Sequence, residues 1–487
     1  MNGVYDVIIV GGGVVGCGTA RELMRRKARV LLLEKTNDIC NGQSKANTAI
    51  IHGGYDAKPG TLKARFNVLG NAMFDRLHDE LDVPVQWNTS LVVSFSADGH
   101  AALEKLLEQG VKNGVRGELR IIDEAELRRR EPNVGSEAKE ALLVGAGGIV
   151  CPYELTVAYA ENAAKNGAEF IRNAQVTGIK KLDNGHWQVT SAAGTFETRA
   201  VVNAAGTYAD VLNNMVSARK VHIRPRRGEY YILDKKYKNA FHAAMFQLPT
   251  SMGKGILIAP TVDGTVLVGP TAEDIDDKED KRTTAAGLEK ALRGASRTWE
   301  HIPARGFITT FAGLRATGDT GDFILGEAED APLFFNCCAI ESPGLSSAPA
   351  IAKWMSEEIA GKLDLKENPD FNPIRKAIPK FREMNAAERE AAIKANPDFG
   401  KVVCRCETVT EAEIREAIRR PVGALDIDGV KRRTRAGMGR CQAGFCTPRT
   451  VEILAEELGI SPLEVTKFGG DYKLLQGYLF EEGKNNA

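Results

Sequence analysis

"YDVIIVGGGVVGCGTARELMRR", residues 5–26, is the stretch whose reading decides the fold class. An apolar run from Tyr5 to Val10 turns at once into glycines and then into an amphipathic helical pattern. Gly11, Gly13 and Gly16 match G-x-G-x-x-G. The first allows a tight turn, the second lets backbone approach a pyrophosphate, and the third lets helix and strand pack closely. The helix start then offers free N–H groups and a positive dipole end to phosphates. A second apolar run, "ARVLLLEK" (28–35), ends at Glu34, placed to accept hydrogen bonds from both hydroxyls of an adenosine ribose. Strand, helix, strand and terminal acid together predict a dinucleotide site in an α/β fold.

Outward from this site, no second G-x-G-x-x-G follows a strand, so there is room for one dinucleotide. "TRAVVNAAGTYAD" (198–210) reads as a strand entering a small-residue turn at Ala204-Ala205-Gly206. "FFNCCAIESPGLSSAPAIAKWMSEEIAGK" (334–362) reads as another strand, a glycine turn and a helix. Either turn taken alone is ordinary strand-to-helix punctuation. Three turns converging on one extended ligand suit FAD.

At 487 residues the chain has length for two to four domains. Lys plus Arg and Asp plus Glu balance at 64 each, so no net field draws it to nucleic acid or an anionic membrane. "MNGVYDVIIV" (1–10) reads as lacking a secretion signal, and no apolar run reaches the roughly 18 residues that span a bilayer. The expectation is a cytoplasmic protein, at most peripheral on the inner face of a membrane. Such a reducing setting disfavours disulfides and leaves cysteines free to hold metal.

Four of the nine cysteines are close together: Cys404 and Cys406 in "KVVCRCETVT" (401–410), Cys441 and Cys446 in "MGRCQAGFCTPRT" (438–450). Zinc sites favour C-x2–4-C pairs, and a two-iron two-sulfur cluster needs the same four thiolates, so both stay open on spacing alone. Thr410 and Glu413 form a capping box for a helix that Pro421 stops, while Thr447 and Pro448 read as N-cap and first residue of another. The basic run "KRRTRAGMGR" (431–440) would offset anionic thiolates, and Gly437, Gly439 and Gly444 would let N–H groups turn toward sulfur. Cys17, Cys40, Cys151, Cys337 and Cys338 read as small buried residues. The charged, proline-bearing stretch 366–397 reads as a surface linker.

Five blocks carry a resemblance: "NTAIIHGGYDAKPGTLKARFNVLGN" (47–71), "RPRRGEYYIL" (224–233), "KGILIAPTVDGTVLVGPTAED" (254–274), "TTFAGLRATGDTGDFILG" (309–326) and "ESPGLSSAPAIA" (341–352). Over residues 1 to 365 the chain resembles the flavin oxidoreductases related to D-amino-acid oxidase, and among them the glycerol-3-phosphate and L-2-hydroxyglutarate dehydrogenases and oxidases. Residues 400–460 resemble the bacterioferritin-associated-ferredoxin domain, a module appended to anaerobic glycerol-3-phosphate dehydrogenases. There the second cysteine pair has a two-residue gap in the free-standing ferredoxin, against four here.

The resemblance implies a Rossmann-like FAD domain (1–90, 145–215 and 325–365) interleaved with an antiparallel-sheet substrate domain (91–144 and 216–324). A linker (366–397) and a small helical iron–sulfur domain (398–487) would follow. It implies an FAD-dependent dehydrogenase oxidising sn-glycerol 3-phosphate to dihydroxyacetone phosphate, its electrons leaving through a 2Fe-2S cluster for a partner subunit or quinone pool. L-2-hydroxyglutarate, or another 2-hydroxy or amino acid, is the alternative substrate. A flavin-bearing scaffold with a zinc module is the alternative that does no oxidation.

Taking a hydroxyl proton while hydride leaves carbon calls for a base, usually His. His52 is the one histidine inside a block that the family places at the flavin. The resemblance makes Arg315 the substrate-anion holder. Lys254, flanked by glycines, would meet a phosphate; Ser346 and Ser347 would donate to substrate or to flavin, and Arg227 would belong to the same wall. Gly344 and Leu345 join Gly206 as cofactor contacts.

Overall fold

The computed structural model describes residues 3–248 and 255–477. The chain divides into two compact units, residues 1–35 with 39–376, and residues 36–38 with 377–487.

In the first unit, β1 (Tyr5–Val10) and β2 (Val30–Leu33) are buried apolar strands joined by α1 (Val14–Leu23). Near-continuous Val, Ile and Leu is what a parallel strand covered on both faces requires. Five strands run parallel, in the order Ala331–Cys338, Gly194–Asn203, β1, β2 and Glu169–Ile171. The strands Val176–Lys181 and Trp187–Ser191 extend the sheet as an antiparallel hairpin, and Ile324–Ala328 pairs antiparallel with Ala331–Cys338. Helices Pro152–Lys165 and Gly344–Leu363 pack against α1.

The same unit holds a second, nine-stranded sheet built from Ser90–Ser94, Leu119–Asp123, Glu140–Val144 and the strands between 223 and 318. Its longest pairing joins Ile223–Leu233 to Phe307–Gly318, antiparallel. The expected antiparallel character holds except between Ala244–Gln247 and Ser90–Ser94, which run parallel because a long excursion separates them in sequence. One face buries Met245, Ile258, Val268 and Trp299, while the other packs Ala244, Leu257 and Ala259 against Ile50.

The second unit packs helices Glu411–Arg419, Ile427–Thr434 and Thr447–Leu458 around Val409, Ile414, Val430 and Leu454. Thr410 and Glu413 form the expected capping box. The expected cap at Thr447 shifts by one residue: Cys446 is the N-cap, and the Thr447 hydroxyl donates to the Ala443 carbonyl at 2.6 Å. Part of the expected linker is also structured. Asn385 opens a helix over Ala386–Ala395 with a second capping box, a signal that the prolines around it mask. Ahead of it, Arg375 is buried in the first unit, its Nε donating to Glu161 at 2.7 Å.

Candidate functional site

Two glycines of the first turn, Gly11 and Gly16, are required by contact with backbone. A Cβ on Gly16 would collide with the Gly11 carbonyl, and one on Gly11, at φ 115°, with the Ala204 carbonyl. Gly13 is the N-cap of α1 and supplies no capping side chain, so the helix start keeps donors for an anion. The buried Glu34 carboxylate accepts the Gly12 N–H at 2.7 Å, and the Ser44 hydroxyl accepts the Val14 N–H at 2.9 Å. Ala204 donates its N–H to the Val10 carbonyl at 2.9 Å, drawing the 204–206 turn to the same edge. Gly206, at φ 58°, borders open space. Helix Gly344–Leu363 also begins without a side-chain cap; the Gly344 N–H donates to the Glu341 carbonyl at 2.5 Å, and Leu345 follows it in the first turn. A glycine cradle, an acid at the end of β2 and two uncapped helix starts fit an adenine dinucleotide with a flavin.

His52 leaves the short strand Ile50–Ile51, and its main chain is held on both sides. Its N–H donates to Ser346 Oγ at 2.7 Å. Its carbonyl accepts the side-chain amides of Asn67, at 2.7 Å, and Asn71, at 3.0 Å. These asparagines are four residues apart on helix Leu62–Asn71, a same-face spacing legible in the sequence. The imidazole lies 5.4 Å, centroid to centroid, from the Phe246 ring.

Strand alternation places Arg315. In the second sheet Met245, Ile258, Val268 and Tyr231 share one face, so Phe246, Leu257 and Tyr230 share the other. Two-residue steps from Tyr230 put Gly228 and Arg226 on that second face, and register pairs Arg226 with Arg315. Arg315 therefore projects from the side of the sheet that carries Phe246, the side against which His52 lies. The 46–52 segment is pressed onto this face, with Tyr230 and Thr48 hydroxyls 3.1 Å apart and no room for a Cβ on Gly313 beneath Ala46. The Arg315 guanidinium reaches only the Thr271 carbonyl, at 3.4 to 3.5 Å, and has no carboxylate partner among the described residues.

Of the expected wall residues, Arg227 falls elsewhere and the two serines bond protein backbone. Arg227 lies on the opposite face, buried among Glu273 at 2.6 Å, Asp280 at 2.8 Å and Glu229 at 3.6 Å, because alternation sends odd and even positions to opposite sides. Ser346 and Ser347 are fully buried. Ser346 Oγ donates to the Ile50 carbonyl at 3.3 Å while accepting from His52, and Ser347 Oγ donates to the Pro343 carbonyl at 3.2 Å. Both hydroxyls brace protein backbone. Lys254 lies outside the described residues.

In the second unit, the four cysteine sulfurs stand as two hydrogen-bonded pairs, Cys404 with Cys446 and Cys406 with Cys441. Among the described residues no group of three or more His, Cys, Asp or Glu converges on one point. Two irons need two thiolates each, and the two pairs supply that number. Hydrogen bonding from Cys446 lowers the Cys404 thiol below its ordinary range. The expected role of the basic run changes. Arg432 and Arg433 bond the buried Asp38 at 2.5 and 2.7 Å, and Arg435 bonds the buried Glu407 at 2.9 Å. The other five cysteines are buried, as expected.

Comparison with known proteins points to the same two cofactors. Residues 6–358 match the family of FAD dependent oxidoreductases (DAO), and residues 402–456 match the BFD-like [2Fe-2S] binding domain. A glycerol 3-phosphate dehydrogenase of Caloramator mitchellensis is 50% identical over 467 residues, covering 95% of this chain and 96% of that one. The anaerobic glycerol-3-phosphate dehydrogenase subunit A1 of Haloferax volcanii is 26% identical, covering 93% of this chain and 83% of the other. The solved L-α-glycerophosphate oxidase of Mycoplasma pneumoniae with FAD bound superposes with a TM-score of 0.73 at 30% identity, over 77% of this chain and 99% of that one. With its glycine cradle, Glu34 and paired cysteines, the chain belongs to the DAO family of FAD-dependent oxidoreductases and carries a BFD-like 2Fe-2S domain.

Proposed function

We propose that this enzyme oxidises sn-glycerol 3-phosphate to dihydroxyacetone phosphate and hands the electrons through its cluster to a partner. The observation that carries the reading is a guanidinium without a carboxylate partner, Arg315, on the sheet face against which His52 lies. Such a cation takes the substrate anion through paired N–H donors. His52, its main chain fixed at both N–H and carbonyl, accepts the hydroxyl proton as the carbon gives up hydride. FAD, held by the glycine cradle and Glu34, would supply the hydride acceptor, and a 2Fe-2S cluster on Cys404, Cys406, Cys441 and Cys446 would supply one-electron chemistry.

The sequence offers a second cation in the glycine-flanked Lys254, and our reading puts the compact phosphate ahead of the dicarboxylate L-2-hydroxyglutarate. The dehydrogenase relative, similar over nearly its whole length, supports the same choice. Anaerobic mixing of the purified enzyme with each compound, following the long-wavelength flavin band, tests it. Bleaching by glycerol 3-phosphate is expected. Bleaching by L-2-hydroxyglutarate alone would overturn the phosphate assignment.

A further inference from the structure

Four residues separate Cys441 from Cys446, and they form an unusual turn. Gln442 and Ala443 take left-handed backbone, at φ 48° and 73°, which non-glycine residues rarely adopt. The turn is well held: Gln442 Nε2 donates to the Gly439 carbonyl at 2.9 Å, and the Thr447 hydroxyl to that of Ala443. Beyond it Phe445 stands 83% exposed, the most exposed large apolar side chain among the described residues.

The two thiolate pairs also differ in access. Cys404 and Cys446 are 1% and 3% exposed, whereas Cys406 is exposed and Cys441 partly so. The exposed charges on the two ligand loops between 402 and 448 are Arg405 and Arg440. The one acid there, Glu407, is buried between Arg382 and Arg435.

We propose that this face, with Phe445 as its anchor and Arg405 and Arg440 as its rim, docks a one-electron redox protein whose own contact edge is acidic. Single-electron transfer falls off steeply with distance, so an acceptor must approach the accessible Cys406–Cys441 pair. An aromatic side chain held out on an ordered loop is the usual core of such a contact, and opposite rim charges set orientation and encounter rate. Each substrate oxidised yields two electrons and two protons. Two acceptor molecules each take one electron, and the protons pass to water.

The proposal rests on the cluster reading, so the electron paramagnetic resonance spectrum of the reduced cluster is recorded for every variant. The probe acceptor is oxidised cytochrome b5, a haem protein with an acidic edge. Cytochrome c, with a basic edge, is the charge control, and dichlorophenolindophenol is a small acceptor that needs no docking. In Phe445→Ala holoenzyme, affinity for immobilised cytochrome b5 and its reduction rate should fall about tenfold or more, the scale of an aromatic anchor. The cluster spectrum and dye reduction should stay as in the parent. Arg405→Glu should weaken cytochrome b5 binding most at low salt, and it carries the test if Phe445→Ala loses its cluster. Unchanged cytochrome b5 affinity in both variants, or tighter binding of cytochrome c than of cytochrome b5 by the parent enzyme, would overturn the proposal.

Discussion

His52 shows how little of a reacting residue's setting is local. It follows a two-residue strand, yet its main chain is fixed by Ser346 from a helix almost three hundred residues away and by two amides of a third element. If it is the base, His52→Ala should slow flavin reduction at saturating substrate by about a hundredfold or more. Stopped-flow traces with an unchanged rate would remove it from that role. The arginine cluster at 224–227 teaches a different lesson. Alternation along one strand sends Arg226 to the face of Arg315 and Arg227 into an acidic pocket on the other. That outcome was available from strand periodicity, once the strand's register to its neighbours was known.

Among elements, helix Ile427–Thr434 of the second unit has the most telling contact, because it buries two arginines against one carboxylate. Burial alone would push the Asp38 carboxyl up. Arg433 and then Arg432 outweigh it and bring it from 3.8 down to about 2. A carboxyl depressed on folding stabilises fully above its unfolded value and loses that contribution as pH falls through its folded one. The expected share is about 2 kcal/mol, present at neutral pH and lost between about pH 4 and pH 2. Urea unfolding of parent and Asp38→Asn proteins should show a stability gap that narrows over that range. A gap that stays constant with pH would assign the effect to packing alone.

For the whole molecule, the division into two units separates chemistry from electron exit. All the residues assigned here to flavin and substrate lie in the first unit, and all four cysteines lie in the second. Cys406→Ser should therefore abolish cluster absorbance while flavin stays bound and is still bleached by substrate. Loss of flavin reduction in that variant would make the cluster region part of the catalytic fold. No helix among the described residues is long and apolar enough to cross a membrane.

From the sequence alone came the features that local chemistry dictates. They are the glycine turn after β1, the acid closing β2, the base candidate between isoleucines and glycines, and the four-cysteine spacing with its capping box. Each depends on residues within one turn or one element, where φ, hydrogen-bonding capacity and side-chain period leave few options. Tertiary structure decided the rest. It turned Ser346 and Ser347 into backbone braces, sent Arg227 away from the Arg315 face, and drew Arg432 and Arg433 to Asp38 instead of sulfur. A buried donor or charge must find a partner wherever the fold brings one, and that partner lay on a different element each time or, for Ser347, one helical turn back.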